Sequence, residues 1–378
     1  MSRGTADVLI TGVAVLSAFG RGMGALAAGL DAGRPAFAPV RRFDVTGRRV
    51  GVAATMDGDP DLPAELAALT AEACDEAKLS TAERAGAPLF LAVHGAPRLA
   101  RAAPAQRPGH GGTAFAAALS GATGLGPSRA YTSACVAAST AIADAAGLIA
   151  RGEADRIVVA GGYLVEADQY ALFDAGRALS TDGAVRPFSA GRRGLLLGDG
   201  AGAVVLESAE AARERAVPPL ARLAGWGRAG DGYHPCQPDP RGRGLARAIG
   251  AALDRAGIGP EELGYINAHG SGTEQSDVAE AAALHAALGP HAATVPVSST
   301  KSLHGQALEA SGVLELAVTL HALRGGRPPV NAGFAAPDER CPLNLVLGAA
   351  APVSPGYALS LNAAFGGANT ALLLGAEA

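Results

Sequence analysis

Cys135 stands in "RAYTSACVAASTAIADAAGLIARG", residues 129–152, where small turn-forming residues give way to an Ala-rich run of helical composition. A thiol at a helix start lies at the positive end of the helix dipole, which lowers its pKa and favours the nucleophilic thiolate. A cysteine seen in isolation is more often buried and inert, and that is what we expect of Cys74, Cys236 and Cys341. The four cysteines are far apart with no Cys-x-x-Cys pair, which argues against a zinc site or a disulfide framework.

Other residues could work with such a thiolate. His269, in "NAHGSGTEQSD", follows a predicted strand and precedes glycines and hydroxyl residues in a loop, a setting that favours a chemical over a packing role. Of the 31 basic residues only Lys78 and Lys301 are lysine. Lys78 ends the amphipathic "LTAEACDEAK" and reads as a solvated charge; Lys301, in "PVSSTKSLHGQ", sits among small polar residues and glycine. His304 and Gln306 flank Gly305 at a second predicted helix start, and "NAAFGGAN" joins two apolar runs through glycines that let a backbone N–H approach a ligand.

Elements must bring these residues together. The 378 residues are 49% hydrophobic but only 4% aromatic, so the core is built from small side chains at close approach. Strands are predicted at "DVLITGVAVLS", "PLFLAVHG", "RIVVAGGYLV", "GAGAVVLES", "LGYINAHG", "ATVPVSST" and "YALSLNAAFGGANTALLLG", with helices over 135–151, 244–256, 277–288 and 307–324. Their alternation implies an α/β protein with buried sheets. The Cys135 segment feeds a helix and then "RIVVAGG"; "VPVSSTKSLHGQ" feeds a second helix, so a duplicated unit facing its copy would gather both helix starts at one site. The Gly- and Pro-rich "AVPPLARLAGWGRAGDGYHPCQPDPRGRG" reads as the connection, giving halves 1–225 and 226–378 of a single compact unit. With a net charge of −4, no long basic run and no apolar run of about eighteen residues, neither nucleic acid nor membrane is an expected partner, and a cytoplasmic protein is expected.

At this point the chain resembles the β-ketoacyl synthase family, the condensing enzymes of fatty acid and polyketide synthesis. "VLITGVAVLSAFG", "TSACVAAS", "FDAGRALSTDGAVRPFSAGRRGLLLGDGAGAVVLES", "NAHGSGTEQSDVAE", "SSTKSLHGQALEASG" and "NAAFGGAN" match that family's motifs in order. The resemblance implies a thiolase-like fold, a duplicated α/β/α/β/α layered sandwich that is usually dimeric, and it assigns roles by position. Cys135 matches the nucleophile that takes an acyl chain from an acyl carrier protein, His269 the first active-site histidine, and Lys301 the buried lysine, with Glu280 as its carboxylate partner. Phe365 matches the residue whose N–H joins that of Cys135 in the oxyanion hole; Ser271 and Thr273 match hydroxyls that contact the pantetheine arm. No metal or organic cofactor is implied beyond the phosphopantetheine that arrives on the carrier protein.

The sequence departs from that family at one telling place. The second histidine, expected in Lys-Ser-x-x-Gly-His, is Gln306, while a histidine stands on the other side of Gly305 as His304. Either Gln306 donates the hydrogen bond to the developing enolate, or His304 swings in on a flexible Gly305, or decarboxylation is lost. The stretch between "PLFLAVHGAP" and "HGGTAF" is also shorter than in the family. The expected function is that of a discrete ketosynthase of a dissociated pathway, condensing a Cys-bound acyl group with malonyl carrier protein as a homodimer or with a second ketosynthase-like subunit. The alternatives are a non-elongating acyltransferase and a non-catalytic partner of the chain-length-factor kind; a thiolase would need a second cysteine that "LNAAFGGANTALLLG" lacks.

Overall fold

The predicted strands form, and two more join them. In the computed structural model, which describes residues 6–94, 111–348 and 356–376, the principal strands are β1 (Val8–Ser17), β2 (Leu89–Ala92), β3 (Ser128–Tyr131), β4 (Arg156–Tyr163), β5 (Gly200–Ser208), β6 (Ala221–Gly230), β7 (Leu263–Asn267), β8 (Val297–Ser298), β9 (Tyr357–Ala364) and β10 (Ala368–Gly375). The helices that matter to the site are α1 (Leu62–Glu76), α2 (Ala137–Ala150), α3 (Arg243–Ala256), α4 (Glu274–Leu288) and α5 (Ser311–Gly325). The shortened stretch before "HGGTAF" lies outside the described residues.

The sheet path carries the duplication that the sequence only hinted at. From the middle outward, one half runs β1-β5-β4-β2-β3 and the other β6-β10-β9-β7-β8, the same order in each copy. The pairing sense repeats as well: antiparallel for the two inner pairs and parallel for the two outer pairs. The halves meet where β1 pairs with β6, Leu9 opposite Arg222 and Ile10 opposite Ala221.

β6 corrects the sequence reading, since it occupies part of the supposed connection and the 225/226 boundary falls inside it. Its glycines are there because α3 lies directly on the strand. A Cβ on Gly225 would sit 2.0 Å from the Ala252 carbonyl oxygen, and one on Gly227 would sit 1.8 Å from that of Ala248. Close helix approach requires glycine here, and those glycines make a central strand look like a linker.

α2 and α5 are buried on almost every side, as helices enclosed by protein must be. They touch: a Cβ on Gly312 would lie 2.3 Å from the Ser139 nitrogen. Residues of both halves surround them in one core, including Val159, Val204, Leu372 and Ala358. α1 covers the outer face of the first half, and α3 and α4 cover that of the second. The layers are therefore α/β/α/β/α. Because α2 follows β3 and α5 follows β8, the third strand of each copy, the two central helices start at equivalent places. No helix among the described residues is long and apolar enough to cross a membrane.

Candidate active site

Between β3 and α2 the chain makes a single 3-10 turn, Ala134–Val136, with Cys135 at its centre. Ala134 has φ +51°, a left-handed conformation that costs a residue with a Cβ about 1–3 kcal/mol and is held only where the surroundings enforce it. The result is a thiol pinned at a sharp bend. Cys135 is buried, and burial, then the Glu309 carboxylate, push its thiol up to about 12, against the Gln306 carboxamide and the Lys301 ammonium. Burial thus opposes the lowering expected from the helix start, because desolvation disfavours the charged form, and the resting group is a thiol.

The equivalent place in the second half presents Gln306 to that thiol. Its backbone is fixed by the segment before β5, with its N–H donating to the Leu196 carbonyl at 2.8 Å and its carbonyl accepting from Gly198 at 3.0 Å. The carboxamide faces Cys135 and favours its ionised form, while Oε1 is buried with no partner among the described residues.

His304 points elsewhere. Its Nδ1 lies 2.9 Å from the Gly305 carbonyl oxygen, which can only accept, so Nδ1 donates; Nε2, 3.0 Å from Thr300 Oγ1, then accepts from the hydroxyl. Burial, with Lys301 nearby, lowers the ring to about 3. A neutral imidazole with both nitrogens engaged does not swing, and a Cβ on Gly198 would lie 1.9 Å from the His304 carbonyl oxygen, so the backbone here is wedged in place. The structure therefore brings Gln306 to the thiol and leaves His304 outside.

Lys301 is buried as expected, but its partner is Glu315 of α5, with Nζ and Oε1 2.5 Å apart and both side chains 1% exposed. Glu315 Oε2 accepts from Asn362 Nδ2 at 2.6 Å. Glu280 was expected in that position and instead accepts from the N–H groups of His269 and Gly270, each at 2.7 Å. The reason is local: α4 starts just beyond the His269 loop, so a carboxylate in its second turn reaches back to the loop backbone. Asp277, one turn earlier, does likewise for Gly272 and for Phe188. Burial raises both carboxyls to about 7.

Held by that loop, His269 is buried, and burial together with the Lys301 ammonium keeps the imidazole well below its usual range and hence neutral. Its Nδ1 has no partner among the described residues. Ser271 and Thr273 bond each other at 2.9 Å between hydroxyl oxygens. Phe365 lies in the turn between β9 and β10, where Gly366 and Gly367 take φ +90° and +75°. Its ring is 57% exposed and 6.3 Å from that of Phe173; β9 and β10 pack against the Cys135 turn. Cys74 and Cys341 are buried as expected, whereas Cys236 is exposed. Among the described residues no group of three or more His, Cys, Asp or Glu side chains could hold a metal ion.

Two copies of one five-stranded order around a pair of buried helices define the thiolase-like class. Solved structures share it. The ishigamide ketosynthase/chain length factor is 28% identical with a TM-score of 0.89, covering 99% of this chain and 100% of that one. A β-ketoacyl synthase from Burkholderia phymatum STM815 is 27% identical with a TM-score of 0.90, at the same coverage. Residues 96–212 match the β-ketoacyl synthase N-terminal domain and residues 220–335 the C-terminal domain. The 3-oxoacyl-[acyl-carrier-protein] synthase 2 of Coxiella burnetii (strain RSA 493 / Nine Mile phase I) is 32% identical, covering 97% of this chain and 98% of that protein. The chain belongs to the β-ketoacyl synthase family. The protein of the same name from Staphylococcus aureus (strain COL) is 37% identical over 254 residues, 66% of this chain and 61% of that relative's length.

Proposed function

We propose that the protein is a ketosynthase that joins a Cys135-bound acyl group to malonyl carrier protein by decarboxylative condensation. The carrying observation is the convergence, from equivalent places in the two halves, of a thiol on a strained turn and the carboxamide that faces it. In the first stage the Cys135 sulfur attacks the acyl thioester carbonyl and gives up its proton. The N–H groups of Cys135 and Phe365 receive the oxyanion, and its collapse expels the carrier thiolate, which takes a proton. In the second stage the malonyl carboxylate leaves as carbon dioxide. The electron pair of the broken bond forms an enolate, whose oxygen accepts hydrogen bonds from the neutral His269 ring and the Gln306 amide. The enolate carbon then attacks the Cys135 thioester and releases the sulfur. Lys301, paired with Glu315, keeps an ammonium near the site, and on this reading Ser271 and Thr273 would meet the pantetheine arm.

On this reading the only cofactor chemistry is the phosphopantetheine carried by the substrate protein, and the enzyme works in the cytoplasm. A second subunit would extend the sheet at β3, which ends the path on that side; the ishigamide ketosynthase/chain length factor supports a ketosynthase-like partner. The test is intact-mass analysis with acyl and malonyl carrier proteins. Acyl loading on Cys135 followed by carbon dioxide release and a 3-oxoacyl product is expected. Loading without carbon dioxide release would replace this reading with a non-elongating acyltransferase.

A further inference from the structure

Glu309 is a buried carboxylate beside the thiol that the condensation leaves unused. It lies in the short turn Leu308–Ala310 ahead of α5, and Leu308 before it is held at φ +38°. Its side chain is 2% exposed. Oε1 is 2.8 Å from His94 Nδ1; Oε2 is buried with no partner among the described residues. The hydroxyl of Tyr163 is likewise buried and without a partner.

The sheet brings these groups to one side of the core. Gly161 and Tyr163, two apart on β4, share a face. A Cβ on Gly161 would lie 3.3 Å from that of Ala138, on α2, and 3.5 Å from the Glu309 carbonyl oxygen, so this face looks toward the Cys135 helix and the Glu309 turn. Ala92 pairs with Gly161 on β2, and His94 follows two residues on. Cys135, Tyr163, Ala92, Ala138 and Leu308 belong to one buried cluster. Burial first, and then the Glu309 carboxylate, raise both the Cys135 thiol and the Tyr163 phenol, so that charge reaches both groups. Burying a carboxylate oxygen and a phenol hydroxyl against plain methylenes would leave both unsatisfied, which is costly.

We infer that Glu309 and Tyr163 line the acyl recess behind Cys135 and select a short acyl chain bearing a hydrogen-bond donor, a hydroxyl or an ammonium, over a plain hydrocarbon chain. The inference rests on Cys135 being the acyl-bearing nucleophile. Glu309 Oε2 accepts from the donor, Tyr163 completes its hydrogen bonding, and His94 positions the carboxylate.

The probes are pantetheine thioesters of butyrate, 3-hydroxybutyrate and 3-aminobutyrate, with acylation of Cys135 followed by intact mass. The wild type should load a donor-bearing chain about a hundredfold faster than butyryl, since a site built around a hydrogen bond rejects the analogue that lacks it. Faster 3-aminobutyryl loading that is lost in Glu309→Gln identifies the ammonium; faster 3-hydroxybutyryl loading that survives in Glu309→Gln identifies the hydroxyl. Glu309→Leu should abolish the preference and raise butyryl loading. Tyr163→Phe, which keeps the ring and the packing, should narrow the preference about tenfold. Equal loading of all three thioesters by the wild type overturns this inference and leaves the ketosynthase reading standing, as does a preference unchanged in Tyr163→Phe and Glu309→Leu. No loading by any thioester or acyl carrier protein overturns both.

Discussion

The two halves use one backbone design for two kinds of chemistry. In each, the third strand runs into a turn and then into a helix enclosed by protein. In the first half that turn is three residues long and carries the thiol on a strained bend. In the second, the chain makes a short helical turn at Lys301–His304 and another at Leu308–Ala310 before α5 begins. The longer route gives the second copy room for a cation, a carboxamide and a carboxylate, where the first offers one nucleophile. Duplication sets the places; the length of the turn sets how many functional groups each place can hold.

The sharpest way to break that comparison is to remove the nucleophile. We predict that Cys135→Ala abolishes acylation by any acyl donor, with Cys74, Cys236 and Cys341 remaining unmodified in peptide maps. Acylation at the wild-type rate would end the assignment. Because burial holds this thiol up near 12, its alkylation by iodoacetamide should rise about tenfold per pH unit, with no plateau below about pH 10. A plateau near neutral pH would mean that the helix start wins after all.

Next comes the cation of the second half. Glu315→Ala leaves Lys301 as an unpaired buried ammonium, and loss of one member of such a pair costs about 3–5 kcal/mol. Glu280→Ala strips the acceptor from two buried backbone N–H groups, costs about 1–3 kcal/mol for each, and leaves the pair intact. Urea unfolding separates them once the lysine is replaced too: Lys301→Met should recover stability in Glu315→Ala and none in Glu280→Ala, and recovery in Glu280→Ala alone would reverse the assignment of partners.

The same pair shows where sequence reading stops. The Cys135 turn, the His269 loop and the lone buried lysine were legible because each interrupts a regular pattern with a residue type that packing does not explain, whereas β3, the short strand that feeds the Cys135 turn, was not. Nor was Glu315, because in "SGVLELAVTL" a single acid on a helix looks like a solvated charge until the helix proves to be buried all round. That acid in an otherwise apolar run was the available signal. Glu280 was misassigned because its true partners are backbone N–H groups, which carry no sequence mark. β6 was hidden by the glycines that α3 demands, and Cys236 gave no sign of its exposure.

Gln306 and His304 test whether the second half contributes to the chemistry or only to the shape. Gln306→Ala should still permit acylation of Cys135 but slow carbon dioxide release from malonyl carrier protein about a hundredfold, or roughly 3 kcal/mol for one lost enolate donor. His304→Phe should leave the ratio of loading to condensation unchanged, because both ring nitrogens are spent on Gly305 and Thr300. The opposite pattern would return the role to His304.

The smallest effect is one of slope, and it tests how α4 holds the His269 loop. Burial, assisted by Asp277 one turn away, raises the Glu280 carboxyl from 4.5 to about 7. A carboxyl raised in the folded state keeps a proton that the unfolded chain has already lost. The wild type should therefore lose stability from this group as pH climbs from about 4.5 to about 7, by at most about 1.4 kcal/mol per pH unit. Below that window the group is neutral in both states and contributes no slope. Glu280→Gln removes the titration while keeping an acceptor for one of the two loop N–H groups. Measured by urea unfolding across that range, the stability gap between wild type and Glu280→Gln should shift steadily against the wild type as pH rises. Taking the difference also cancels the opposing slope from His269 and His304, which stay neutral when folded and so favour the unfolded chain as pH falls below about 6.5. Parallel curves for the two proteins would show that the loop carboxylate is already ionised at low pH, and that the α4 start, rather than burial, governs its charge.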